Sequence, residues 1–180
     1  MNKYSPFNIA LSFLLLLLLS ASNPAKLQWK ENIRLQTAHY KGKPVVNSKF
    51  YANTSTQLSF TIIRKTGVTA EATAFFDPYK SWIRPTSPVT VIQHEQLHFD
   101  ITEIYAREMR KQIKVLEGLK LKPEEHKVKL TNLYNTVAHL LRNDQMRYDV
   151  ETNHSLDKAM QKKWTDSVAI RLSLLKAYSK

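Results

Sequence analysis

Residues 89–106 read VTVIQHEQLHFDITEIYA, and the interpretation of the whole chain starts from this segment. Apolar side chains recur in it at a spacing of three or four, which predicts an amphipathic helix that begins at Val89 and ends near Leu116. The apolar positions are Val91, Ile92, Leu97, Ile101, Ile104 and Tyr105. One side of this helix is therefore expected to face a protein core.

The same segment contains the pattern HExxH, from His94 to His98. Residues four apart on a helix lie about 40° from each other around the axis, so the two imidazoles point to the same side. In zinc peptidases such a pair binds one Zn²⁺, and the glutamate after the first histidine lies beside the metal-bound water. The spacing therefore predicts His94 and His98 as zinc ligands and Glu95 as the general base.

A catalytic zinc ion needs a third protein ligand and keeps one position open for water. Asp100 and Glu103 are on the same predicted helix, but they point about 240° and 180° away from His94. The third ligand is therefore expected from a later part of the chain.

Candidates for that ligand cluster in YDVETNH, residues 148–154, at the end of a predicted second helix. His154 and Glu151 are alternatives, giving a His₃ or a His₂Glu set, and both sets are known for catalytic zinc. Asp149 is expected to hydrogen-bond the far nitrogen of a liganding histidine, and Tyr148 to donate its hydroxyl to a developing oxyanion. For each of these side chains the competing interpretation is a solvated position at a helix end.

The rest of the chain predicts a sheet followed by helices. Between Leu27 and about Arg84 the sequence favours strands, with alternating runs at 26–30, 57–63 and 68–76 and short runs of β-type residues at 44–46 and 50–51. A second helix begins near Pro123 and a third follows Asp157. The prediction is one α+β domain over residues 23–180, with a small mixed or antiparallel sheet and three helices.

Residues 1–22 have the order of a secretory signal peptide: a lysine, an apolar stretch, and then small residues that end at Ser22. The apolar stretch has about 11 residues, whereas a membrane-spanning helix needs ~20. Cleavage is therefore expected near Ser22, and the mature protein is expected to be secreted or periplasmic, without a membrane span.

Composition excludes several kinds of site. The 180 residues include no cysteine, which excludes a disulfide scaffold and a thiol nucleophile, and 3 glycines, too few for a glycine-rich phosphate loop. The net charge is +12, but the basic residues are spread along the chain without interleaved aromatic residues. A solvated surface is the simpler explanation, and a nucleic-acid partner is not expected.

Several motifs together resemble the bacterial family of predicted secreted zinc-dependent proteases. They are HEQLHFDITEIYAR at 94–107, YDVETNH at 148–154 and QKKW at 161–164, with Trp29, Ser81-Trp82 and 52–56 in agreement. The resemblance covers most of the mature chain. It implies a zincin-like fold and favours His154 over Glu151 as third ligand. Ser155 stands where the family pattern has glycine, which matters because glycine adopts positive φ easily and serine does not.

The functional prediction is a zinc-dependent metallopeptidase that hydrolyses peptide or related amide bonds of a peptide or protein substrate. Two alternatives come from other classes. One is a non-enzymatic cell-envelope protein in which zinc only joins helices, and the other is a basic module that binds a polyanion.

Overall fold

The computed structural model describes residues 26–64 and 67–180, and the predicted signal peptide at 1–22 lies outside them. The described residues form an α+β fold in which a small antiparallel sheet region precedes three helices. The strands are β1 (Leu27–Gln28), β2 (Ala52–Asn53), β3 (Thr56–Arg64), β4 (Val68–Phe76) and β5 (Trp82–Ile83). The helices are α1 (Val89–Glu117), α2 (Pro123–Glu151) and α3 (Lys158–Leu174), with short 3₁₀ turns at Thr37–His39 and Lys176–Tyr178.

The main sheet has the order β1-β4-β3, and all its pairs are antiparallel. β3 and β4 pair along their full lengths, from Thr56 opposite Phe76 to Arg64 opposite Val68. The alternating sequence of β4 places Ala70, Ala72 and Ala74 on one buried face. Because these side chains are small, a helix can approach that face closely.

Helix α1 fills the centre of the molecule. One side of it packs on the alanine face of β4 through Phe99, Ala106 and Met109. The other side packs against α2 and α3 through a second cluster that includes Ile101 and Ile104. A helix covered on two sides needs apolar residues around most of its circumference, and α1 has them.

β2 and β5 form a separate two-stranded sheet, with Ala52 opposite Ile83. β2 contacts the first half of α1 and lies beside the two histidines of the HExxH pattern. The runs at 44–46 and 50–51, predicted as strands from their β-type residues, are irregular, turn or bend segments instead. Val45 and Val46 have β-type side chains but are exposed, so no packing against a core holds this run in a sheet.

Among the helices of the described residues, none combines the length and the apolar character that crossing a bilayer requires.

Candidate metal centre

His94 and His98 lie side by side on α1, as their spacing predicts. Their Nε2 atoms are 3.2 Å apart, and their side chains are 4% and 12% exposed. Leu97 and Phe99, next to His98 in the sequence, are buried in the two different core clusters, so the helix cannot rotate to separate the imidazoles from their neighbours. The pair is held rigidly at the end of a cavity.

Asp149, on the last turn of α2, completes a group of three. Its Oδ1 atom is 3.1 Å from His94 Nε2 and 3.0 Å from His98 Nε2. These three atoms form a triangle with sides of 3.0–3.2 Å. Neighbouring ligands of a tetrahedral zinc ion, each about 2.0–2.1 Å from the metal, are about 3.3 Å apart. His94, His98 and Asp149 therefore form a group that could hold a metal ion.

Two glutamines orient the imidazoles from behind. Gln161 on α3 places its Oε1 atom 3.1 Å from His94 Nδ1. Gln145 on α2 accepts a hydrogen bond from His98 Nδ1, and its own amide donates to the carbonyl of His98 at 2.9 Å. An amide oxygen can only accept, so each Nδ1 carries the proton and each Nε2 keeps its lone pair for a metal. Such outer contacts fix the tautomer and the ring orientation of liganding histidines.

Tyr148 supports the same rings by packing. Its side chain is fully buried, and its ring stacks on that of His94 with centroids 4.4 Å apart. Its hydroxyl donates to the carbonyl of His94 at 3.1 Å and accepts from Gln161 Nε2 at 2.8 Å. Burial is the main cause that raises the pKa of Tyr148 above its usual range. The structure therefore places this hydroxyl behind His94 and not in the cavity, where oxyanion support would require it.

The cavity in front of the histidines has a volume of about 420 Å³. One wall is the segment 49–54, which includes β2, and the other is the segment 153–156. Glu95 lines the cavity beside His94, His98 and Asp149. Its carboxylate makes no hydrogen bond or ion pair with any residue in the described ranges 26–64 and 67–180, although only 6% of the residue is exposed. Among the described residues, the only buried side-chain nitrogen or oxygen without a hydrogen-bond partner is His126 Nε2, so the Glu95 oxygens are open to the cavity and available to another group there.

The other two predicted ligands lie apart from the three-atom group. His154 is at the rim, 41% exposed, with Nδ1 3.5 Å from Asp149 Oδ1 and its ring against Phe50. Glu151 is directed away from the cavity, since its Oε2 atom accepts from Trp164 Nε1 at 2.8 Å. The group that could hold a metal ion thus contains Asp149, which the sequence predicted as an outer-sphere partner, and does not contain His154.

The chain reaches His154 through an unusual turn after α2. Asn153, His154 and Ser155 all have positive φ, at 46°, 51° and 77°. A left-handed conformation costs about 1–2 kcal/mol for each residue with a side chain. Ser155 therefore adopts the conformation that a glycine would adopt more easily at the same position. This turn places His154 over the cavity instead of continuing α2 into solvent.

Asp100 and Glu103 point away from the metal group, as their angular positions on α1 predict. Asp100 Oδ1 accepts from Trp29 Nε1 at 2.7 Å and from Gln96 Nε2 at 2.8 Å. Glu103 pairs with Arg107 and Arg110. Both carboxylates are therefore used in the packing of α1 against other segments.

The charges of this group also favour a bound cation. Burial disfavours the charged form of Asp149, but His94 and His98, when their Nε2 atoms carry a proton, donate hydrogen bonds that outweigh burial and hold the pKa of Asp149 well below its usual range. For His98, burial lowers the pKa, and the hydrogen bond that protonated His98 donates to Asp149, together with the charge of Glu95, more than restores it, so the net direction is upward. The carboxylates of Asp149 and Glu95 thus form a negative site suited to a cation.

Sequence reasoning did not identify Gln145 and Gln161 as site residues. Gln145 lies three and four residues before Tyr148 and Asp149, so all three share one face of α2. Gln161 belongs to the QKKW motif and has no signal of its own beyond that resemblance.

No protein-family model, no curated protein and no solved structure matches this chain.

Proposed function

We propose that this protein is a zinc-dependent hydrolase of peptide or related amide bonds. The observation that supports it best is the unpartnered carboxylate of Glu95, which shares an open cavity with the His94, His98 and Asp149 group. A site that binds metal only for stability has no use for such a carboxylate. Two histidines, one carboxylate and an adjacent glutamate are the arrangement expected of a hydrolytic zinc site.

Zinc, when bound, would lower the pKa of a coordinated water toward ~7 and polarise the substrate carbonyl. The protein side chains supply the remaining functions. Glu95 accepts the proton from the attacking water and passes it to the leaving amine. Gln161 and Gln145 keep the two imidazoles in the metal-binding tautomer.

The edge of β2 offers a place for an extended peptide. The carbonyl of Tyr51 accepts from the amide of Arg84, and Ala52 is opposite Ile83. In this antiparallel register the amide and carbonyl of Ala52 point away from β5. Ala52 lines the cavity, so these groups are available to pair with a substrate strand.

We place this activity outside the cytoplasm, secreted or periplasmic. This rests on the signal-peptide pattern at 1–22. A peptide or protein substrate in that compartment fits a cavity that is open along one strand edge.

The test compares wild type with Glu95→Gln, using Glu125→Gln on the exposed face of α2 as the matched control. Metal content is measured by elemental analysis and hydrolysis with a peptide library. Glu95→Gln is expected to keep the metal and to lose at least ~100-fold in turnover, because general-base catalysis contributes about that much. Glu125→Gln should match wild type. Full hydrolysis by Glu95→Gln would remove the catalytic assignment.

One observation favours a second candidate, a non-enzymatic envelope protein stabilised by zinc. His154 Nδ1 lies 3.5 Å from Asp149 Oδ1, close enough for a small movement to add it as a fourth ligand. A structural zinc site has four protein ligands and no open position. No hydrolysis by wild type, combined with four protein ligands on the metal, would favour this alternative.

A further inference from the structure

A second depression, of about 270 Å³, lies between the N-terminal segment, α1 and α3. The residues of its lining that matter here are Trp29, Glu31, Arg34, Asp100, Arg107 and Lys176. It shares no lining residue with the metal cavity. A ligand bound there would therefore not depend on the proposed hydrolase activity.

Arg107 is the central feature of this depression. Its side chain is 4% exposed. Nε donates to Glu103 Oε1 at 3.0 Å, and Nη1 donates to the carbonyl of Leu172 at 2.6 Å. Nη2 makes no hydrogen bond within the ranges 26–64 and 67–180 that the structure describes. Nη2 is not among the buried atoms without a partner in the described ranges, so it is open to the depression and available to a ligand.

The charge around Arg107 is not balanced. Glu103 Oε1 accepts from both Arg107 and Arg110, at 3.0 and 2.6 Å, so two guanidiniums share one carboxylate. The lining adds Arg34 and Lys176 against Glu31 and Asp100. Counting Arg34, Arg107 and Lys176 against Glu31 and Asp100 leaves a surplus of one positive charge.

We propose that this depression binds a small carboxylate ligand, which accepts from Arg107 Nη2 and lies against the indole of Trp29. Guanidinium and carboxylate are geometrically matched partners, and their charge-assisted hydrogen bonds are among the stronger ones in proteins. The Arg107 guanidinium lies over the Trp29 ring, 5.1 Å from its centroid, so the indole forms part of the surface beside the proposed donor. A surplus of one charge suits a monoanion better than a phosphate dianion, which the carboxylates of Glu31 and Asp100 would repel.

The carboxylate could belong to a free organic acid or to the C-terminus of a peptide, and the probes separate these sources. Acetate represents the first and N-acetylglycine the second. Their neutral counterparts, acetamide and N-acetylglycinamide, have similar shapes without the charge. The reporter is the indole N–H resonance of Trp29, which donates to Asp100 inside the depression, followed by NMR on the full mature protein.

Saturable shifts of this resonance are expected with at least one carboxylate and with neither amide. The double variant Arg34→Gln/Lys176→Gln removes two exposed cations of the rim, and we expect it to weaken binding about fivefold. The matched control Lys158→Gln/Lys162→Gln removes two cations near the N-terminus of α3 and should bind like wild type. Arg107→Gln should abolish binding, with circular dichroism as the check that it folds.

Acetate binding without N-acetylglycine binding would assign the site to free organic acids, and the reverse result would assign it to peptide ends. The proposal is overturned if no carboxylate gives a saturable shift, if the amides bind equally well, or if the Arg34→Gln/Lys176→Gln variant keeps the wild-type affinity. Because the rim variant leaves the buried Arg107 network intact, this outcome does not depend on whether Arg107→Gln folds.

Discussion

At the scale of single residues, the proposed metal centre depends on which side chain is its third ligand. Asp149 Oδ1 is within 3.1 Å of both imidazole nitrogens, whereas His154 Nδ1 is 3.5 Å from Asp149 and exposed at the rim. We expect Asp149→Ala to lower zinc affinity by more than ~100-fold, beyond the usual cost of losing an outer-sphere partner. His154→Ala should lower it by less than about tenfold, in a competition titration with a chromogenic chelator.

His139→Ala is the matched control for these two variants, because His139 is exposed on α2 and bonds only to Asn143 among the described residues. It should not change zinc affinity. If His154→Ala loses more affinity than Asp149→Ala, the ligand set inferred from the sequence is right and the one inferred from the geometry is wrong.

The glutamine contacts of the histidines make a further prediction. Gln161→Leu removes the acceptor of His94 Nδ1, and we expect zinc affinity to fall about 10–100-fold, as for other outer-sphere partners of liganding histidines. Gln161→Glu keeps an acceptor at the same position and should restore most of the affinity. A purely structural role would predict equal stability loss in both variants with no change in affinity, which thermal denaturation of the apo-proteins would reveal.

At the scale of secondary-structure elements, the left-handed turn after α2 is the part under strain. Ser155 has φ of 77° and is largely buried. Ser155→Gly should raise the free energy of unfolding by about 1 kcal/mol, because glycine adopts this conformation without a Cβ clash. Ser155→Ala keeps the strain and should not stabilise. Chemical denaturation measures both, and equal stabilisation by the two substitutions would contradict the strain argument.

The helices were predictable because their signals are local. The spacing of apolar residues predicted α1 within one residue of its observed end, and Pro123 and Asp157 marked the starts of α2 and α3. The strand pair at 56–76 followed from alternation. The strands predicted at 44–46 and 50–51 do not form, because β-type residues alone do not provide a partner strand.

The side chains of the metal centre also divide into those that a local spacing predicts and those that depend on how the helices pack. His94, Glu95 and His98 follow from a spacing within one helix, so the sequence predicts how they lie relative to each other. The third ligand depends on which face of α2 packs on α1. The apolar residues Met146 and Val150 are exposed, so they do not indicate that face. It is marked by Gln145, Tyr148 and Asp149. The position of His154 depends on three positive φ angles that the residue types of this turn do not require.

At the scale of the whole molecule, a metal ion at this site would tie α1 to the end of α2. A ligand that binds only the folded state stabilises it by about 2.7 kcal/mol when its concentration is 100 times Kd. For a domain of this size that corresponds to roughly 5–10 °C in Tm. We expect chelation to lower the Tm of wild type by this amount. His94→Ala, which removes a ligand, should show no response to chelator.

X-ray absorption at the zinc edge of the zinc-loaded mature protein measures the ligand set of the proposed metal centre. We expect one zinc ion with two imidazole nitrogens and oxygen ligands, each about 2.0–2.1 Å from the metal. A shell with three imidazoles, a shell of four protein ligands, or protein that retains no zinc would contradict it.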